Sequence, residues 1–382
     1  MRMEPKYRKR RERGLAVLVA CLLLLIGTIV YVGYLRTNPP STRDFAGSGN
    51  GETVLVEIGE GKSISELGPE LVNLGVVKSN GAFQGAASKN SDAANVTPGF
   101  YRVQKQMSAE DAVAALVDPQ NKVELLQIPG GQTLSDVQVV GGQKRQGIYS
   151  SIESVTCAHE KCVKVADLEQ VAANTAPEQL GVPQWALEPV KKRGADPKRL
   201  EGLIIPGQYV INPEHDATAI LTDLITRSAK QYEDSGIVSR SQAIGLSPYE
   251  LLTAASLVER EAPKGDFDKV ARVILNRLKE PMRLEFDSTV NYGLKDVEVA
   301  TRDEDRKRET PWNTYAKEGL PETPISAASM EAIEAMEHPA EGDWLFFVTI
   351  NRDGTTVFNR SFEDHQRDTQ KSIDNGVLDS HR

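Results

Sequence analysis

Apolar and polar positions change period several times along this chain. From Gly14 to Leu35 no charged residue occurs at all. Thr53 to Ile58 alternates, with Val54, Val56 and Ile58 on one face, which predicts a half-buried strand. Ser63 with Glu66 three positions on predicts a capping box opening a helix through Leu67, Leu71 and Leu74. Ser108 with Asp111 opens another, carrying Val113, Leu116 and Val117. A closing strand falls near Val123–Ile128. Residues 141–200 are the least regular part, with Gly, Gln, Lys and Ser dominating Gly141 to Ser151, and read as loops and short helices. From Glu201 mixed helices and short strands return to about Asp368.

The most informative stretch is Ser247 to Ala262. Ser247 reads as an N-cap, Pro248 suits the first helical position, and Glu250 completes a capping box. Leu251, Ala255, Val258 and Ala262 form one stripe, with Leu252 near its edge. Glu259 falls between the stripe and Leu252, beside Ser256, whereas Glu261 projects about 160° away and is expected to reach solvent. A carboxylate on an apolar helix face is costly unless neutral or partnered. Burial would raise its pKa, as a general acid working near neutral pH requires; an ion pair with an arginine or a backbone cap would satisfy it equally well. The next helix, about Phe267 to Glu280, carries Arg277 inside its stripe of Val270, Val273, Ile274 and Leu278. Arg277 could pair with a carboxylate, orient a ligand, or hold Asp287, and the last is the expectation.

Charge changes the picture at the N-terminus. Residues 1–13 hold seven Lys or Arg against Glu4 and Glu12, a charge of +5, so the remainder carries −14 of the net −9. The uncharged run that follows would rise roughly 33 Å as a helix, enough to cross a bilayer core of about 30 Å. The positive-inside rule then predicts a cytoplasmic tail, a single membrane span and an extracytoplasmic remainder. The following Arg36-Thr37-Asn38-Pro39-Pro40 offers no small-residue cleavage site, and cutting at Cys21 of Leu18-Val19-Ala20-Cys21 would leave an apolar start. Asn38 to Gly51 reads as a flexible spacer. An acidic exported domain is a poor match for nucleic acid.

Other chemistries find little support. Gly61-Lys62-Ser63 lacks the earlier glycine of a phosphate loop, since that position is Val56 in the strand. Neither G-x-S-x-G, H-E-x-x-H nor a dinucleotide-binding glycine pattern occurs. Cys157 and Cys162 flank His159, but no fourth zinc ligand is evident; outside the cytoplasm a small disulfide loop is permitted.

Leu251-Leu252-Thr253-Ala254-Ala255-Ser256-Leu257-Val258-Glu259-Arg260-Glu261 resembles the helix motif of the YceG-like endolytic murein transglycosylases. Asn276-Arg277-Leu278, Met282-Arg283-Leu284 and Asp287-Ser288-Thr289-Val290 with Tyr292 resemble the family's next block. Asn313-Thr314-Tyr315, Gly319-Leu320-Pro321 and Pro324-Ile325-Ser326 resemble its groove loops, Phe358 with Asp364-His365 its C-terminal block, and Glu201-Gly202-Leu203 with Pro206 and Tyr209 an upstream motif. Glu285-Phe286, Trp312, Glu322-Thr323, Gly207-Gln208 and Asp364 depart from the family pattern.

The resemblance implies an α+β architecture: a cytoplasmic tail over 1–13, a transmembrane helix over 14–35, a linker over 36–51, a LysM-like module over 52–125, a catalytic domain over 126–370 with 141–200 as an irregular insertion, and a loose tail over 371–382. It implies lytic cleavage of peptidoglycan strands between N-acetylmuramic acid and N-acetylglucosamine, with Glu259 as the single acid and base and no cofactor or metal. It places Asn313, Thr314, Tyr315, Asp287, Thr289 and Ser256 at the substrate, with Arg277 and Glu261 in support. For Asn313, Thr314 and Tyr315, loop packing is an equal alternative. Peptidoglycan synthases are the implied partners. Three other readings remain: a membrane-tethered wall-binding scaffold, a hydrolase using water with Asp287 as base, and a structural component of the division or elongation machinery.

Overall fold

The computed structural model describes residue 19 and residues 21–34, 43–59, 61–123, 125–140, 142, 144–157, 162–212, 215–294, 296–297 and 301–377. The basic tail expected over 1–13 and part of the span expected over 14–35 lie outside these residues. Residues 21–34 are helical, and among the described residues no helix is long and apolar enough to cross a membrane. The chain divides into two compact units, Met1–Glu124 and Leu125–Arg382.

In the first unit the alternation over 53–58 forms a strand, β1 (Thr53–Ile58), with Val56 and Ile58 buried. It pairs antiparallel with β2 (Gly99–Gln104), which pairs with β3 (Lys122–Val123). The helix expected from Ser63 starts late. Residues Ile64–Leu67 form one 3-10 turn and the α-helix runs only over Gly68–Asn73. Pro69 explains this, since proline belongs in the first turn of a helix and not in its interior. Ser63 therefore donates to the Glu66 carboxylate instead of capping a backbone N–H. Ser108 does cap Ala109–Val117, accepting from Asp111 N–H at 3.1 Å. Leu71, Phe83, Val113 and Leu116 close the core, each burial stabilising by roughly 1.5–3 kcal/mol. The described half of the expected spacer is fixed to this unit: Asp44 accepts from Ala109 N–H, and Ser108 N–H donates to Gly47 O.

The second unit is mixed. Strand β4 (Leu125–Ile128) pairs antiparallel with β7 (Gly207–Val210); β5 (Val137–Val139) lies between antiparallel β6 (Lys144–Arg145) and parallel β8 (Asp296–Val297). The irregular region carries three helices, Ile148–Thr156, Val165–Asn174 and Gln184–Lys192. Cys157 and Cys162 are joined in a disulfide after the first of them; His159 lies outside the described residues.

Helix Pro248–Glu261 runs through the middle of this unit, with Tyr249 and every residue from Leu251 to Val258 buried. Its capping box forms as expected: Ser247 N–H donates to Glu250 at 2.8 Å and Glu250 N–H to Ser247 Oγ at 3.3 Å. Helices Phe267–Lys279 and Met330–Glu337 pack against it. A hairpin of β9 (Phe346–Thr349) and β10 (Thr356–Asn359) and helix Phe362–Asp374 are the last elements among the described residues. That helix extends into the tail expected to be loose, because Ser372 is buried and donates to Thr349 O at 2.6 Å.

Candidate active site

Three segments meet at the C-terminal end of helix Pro248–Glu261. The turn Pro129–Gln132 is sewn to the segment before helix Met330–Glu337, Gly131 N–H donating to Ala327 O at 2.9 Å and Ala327 N–H to Gln132 O at 2.8 Å. Ser256 Oγ accepts from Ile325 N–H at 3.0 Å, and Arg260 donates to Gly131 O at 3.2 Å. The helix thereby fixes both loops. Glu259 sits where they converge.

One oxygen of Glu259, Oε2, accepts two hydrogen bonds from a single residue: Ser329 N–H at 2.9 Å and Ser329 Oγ–H at 2.5 Å. Ser329 is the N-cap of helix Met330–Glu337, its Oγ also accepting from Ala332 N–H at 3.2 Å. The carboxylate is therefore anchored to the residue that caps a helix. The other oxygen, Oε1, faces Gly130 so closely that a β-carbon there would collide with it. Gly130 and Gly131 in turn line a cavity of about 500 Å³, together with Glu201, Arg260, Ser288 and Tyr292. The carboxylate is thus one glycine away from an open cleft large enough for a sugar ring.

Of the carboxylates around the cavity, Glu201 is buried more deeply than Glu259. Glu259 is half-buried. Glu201 is 1% exposed, accepting from Leu134 N–H at 3.2 Å on each oxygen and from Tyr292 OH at 2.7 Å. Burial pushes its carboxyl up to about 7 against those donors. Glu261 corrects the helical-face argument. It does not project into solvent but accepts from Ser288 N–H at 3.2 Å, at the start of helix Asp287–Gly293. Burial raises its carboxyl above the usual range, the Ser288 donors oppose this, and the Asp287 charge adds to it. The solvent expected beside Glu261 is replaced by that neighbouring helix.

Asp287, Thr289, Thr314 and Tyr315 do come together, but around one another. Asp287 accepts from Arg306 at 3.1 and 3.2 Å, from Thr301 at 2.7 Å and from Tyr315 OH at 2.8 Å. Thr289 and Thr314 are fully buried with their hydroxyls 2.9 Å apart. Asn313, also fully buried, donates to the carbonyls of Arg306 and Arg308. Ser256 donates to Thr253 O while holding Ile325. These hydroxyl and amide groups already have protein partners, and none of the six residues expected at substrate lines the 500 Å³ cavity.

Arg277 is 7% exposed and does not hold Asp287. It donates to Leu345 O at 2.6 Å, Leu284 O at 2.5 Å and Arg283 O at 3.3 Å, beneath the ring of Phe346. Three carbonyls, not a carboxylate, satisfy it, and they tie strand β9 to the chain before Asp287.

The sequence reading missed Ser329, Gly130, Ser288 and Arg260 as site residues. Ser329 had a local signal, a hydroxyl just before Met330–Glu337, but nothing local paired it with a carboxylate 70 positions earlier.

The sequence model of the YceG-like family matches residues 56–371. An endolytic murein transglycosylase of Streptococcus pneumoniae serotype 2 (strain D39 / NCTC 7466) is 31% identical over 337 residues, covering 84% of this chain and 58% of that protein. One of Bacillus subtilis (strain 168) is 29% identical over 324 residues, covering 84% of this chain and 85% of that protein. The chain thus spans little more than half the length of the pneumococcal relative. The crystal structure of a YceG-like protein from Listeria monocytogenes aligns with a TM-score of 0.55 at 26% identity, over 83% of this chain and 99% of that one. With the family's sequence model matching residues 56–371, most of its length, the chain belongs to the YceG-like family.

Proposed function

We propose that this chain is an endolytic peptidoglycan lytic transglycosylase with Glu259 as acid and base. The observation that carries the proposal is the mounting of Glu259: Oε2 held by two Ser329 donors, Oε1 turned to the glycine that lines the cavity. In the proposed reaction Glu259 gives its proton to the bridging oxygen as the bond to muramic C1 breaks. The resulting carboxylate takes the proton of the muramic 6-hydroxyl, and O6 closes on C1 as a 1,6-anhydro ring. No water enters, because the proton lost by O6 replaces the one given to the leaving sugar.

A second carboxylate is what ordinary glycosidases add. Asp287 is saturated by Arg306, Thr301 and Tyr315, and Glu201 by Leu134 and Tyr292, which supports single-carboxylate chemistry. The relatives named endolytic murein transglycosylases support the same substrate.

Membrane tethering through residues 14–35 belongs to this reading, supported by their lack of charge and the basic residues before them. So do a wall-binding role for the first unit as a LysM-like module and partnership with peptidoglycan synthases. Mass spectrometry of products from isolated glycan strands tests the reaction. New muramic ends lighter by one water than hydrolysis would leave are expected; reducing ends alone would refute it.

A further inference from the structure

The cavity beside Glu259 is cationic, on a chain of net charge −9. Arg145, Lys198 and Arg260 line it, against Asp136 and Glu201. Asp136 is already committed to Lys144 at 2.5 Å, Gly147 N–H at 2.7 Å and Ser150 Oγ at 2.8 Å. Glu201 lies in the floor, its oxygens held by Leu134 and Tyr292. Lys198 is turned onto the rings of Tyr292 and Trp312, at 4.5 and 5.1 Å from their centroids.

The two arginines differ from these. Neither Arg145 nor Arg260 forms an ion pair within 4 Å among the described residues, and the one hydrogen bond Arg260 makes is to the carbonyl of Gly131. They also feel each other. Burial first, and then the charge of Arg145, hold the Arg260 guanidinium below its usual range, while Glu261, Glu259 and Glu201 pull the other way. Two guanidiniums sharing a cavity without a carboxylate partner form a ready receptor for a planar anion, because their fixed donors match carboxylate geometry.

We propose that Arg145 and Arg260 form an anion subsite that takes a carboxylate carried on the 3-O-lactyl arm of a muramoyl residue. The inference rests on the glycan-cleaving reading above and adds the feature by which the enzyme tells a muramoyl unit from a neutral N-acetylhexosamine. The carboxylate is either the free lactyl group or one borne by an attached peptide. Arg260 directly follows the proposed acid and holds the glycine turn in front of it, so filling the subsite would seat the muramoyl residue against Glu259.

The test uses the full chain made inactive by Glu259→Gln. Its binding is measured for three tetrasaccharides: one with free lactyl carboxylates, one with peptide stems on the lactyl groups, and one with the lactyl groups capped as methylamides. The proposal expects at least one carboxylate ligand to bind about tenfold tighter than the capped one, roughly the increment of a charge-assisted bidentate contact. Arg145→Gln on the same background should erase the difference, Arg145→Lys should keep part of it, and the preferred ligand identifies the source of the carboxylate. Equal affinity for all three ligands, or an equal loss for all three on Arg145→Gln, overturns the subsite while leaving the cleavage reaction standing. No binding of any ligand overturns both.

Discussion

Ser329 gives Glu259 two hydrogen bonds on one oxygen, from its backbone N–H at 2.9 Å and its hydroxyl at 2.5 Å, while capping helix Met330–Glu337. A side chain with two rotatable bonds beyond Cβ is thereby reduced to one orientation, with its other oxygen toward Gly130. Binding and capping by the same hydroxyl couple the direction of the carboxylate to that of a helix.

Ser329→Gly removes the hydroxyl alone, keeping the N–H and a residue tolerated at an N-cap. The loss of stability should stay within a few tenths of a kcal/mol. Turnover on glycan strands should fall roughly ten- to a hundredfold through lost orientation, with KM little changed. Ser329→Thr should restore most of it. Steady-state kinetics of the three proteins check this; a change confined to KM would contradict the positioning role.

Gly130→Ala places a methyl group against Glu259 Oε1 from a turn that is anchored to Ala327. The carboxylate must then leave Ser329 or the turn must shift. Turnover should fall at least tenfold, and the double variant with Ser329→Gly should lose much less than the product of the two, since both act on one orientation. Independent, multiplying losses in a double-mutant cycle would separate the two residues.

Helix Pro248–Glu261 was legible because its information is local: a capping box, a proline at the first position and an apolar stripe. The same locality limited the rest. Helical period alone sends Glu261 to solvent, but helix Asp287–Gly293 arrives there from 26 positions beyond and covers it. Polar residues such as Asn313 and Thr314 in a loop suggest ligand contact, yet buried loops must satisfy their own carbonyls and hydroxyls first. Residues that meet the carboxylate from other segments, Ser329 and Gly130, leave no periodic trace.

Glu201 makes stability depend on pH in an identifiable window. Its carboxyl is raised from 4.5 to about 7 in the folded chain, so between those values the folded state binds more protons than the unfolded. Stability therefore falls as pH rises through the window, by about 3 kcal/mol at most over the full shift. Glu201→Gln should flatten that slope and gain on the parent at pH 8. Urea unfolding from pH 4.5 to 8 measures both; parallel curves for the two proteins would contradict the assignment.

Arg277→Met should act on folding and not on chemistry. It orphans the carbonyls of Arg283, Leu284 and Leu345, so about 3 kcal/mol of stability should be lost. The urea midpoint should drop at unchanged slope. A fall in turnover at unchanged midpoint would instead place the guanidinium at the substrate.

The central claim is that Glu259 alone moves the proton. The most direct measurement compares the full chain and its Glu259→Gln variant on isolated glycan strands, following anhydro-muramic ends by mass spectrometry while far-UV circular dichroism confirms equal folding. The account predicts such ends from the parent and a drop of at least about a thousandfold in the variant, at the scale of a lost general acid. Anhydro ends released by Glu259→Gln at the parent's rate would contradict it.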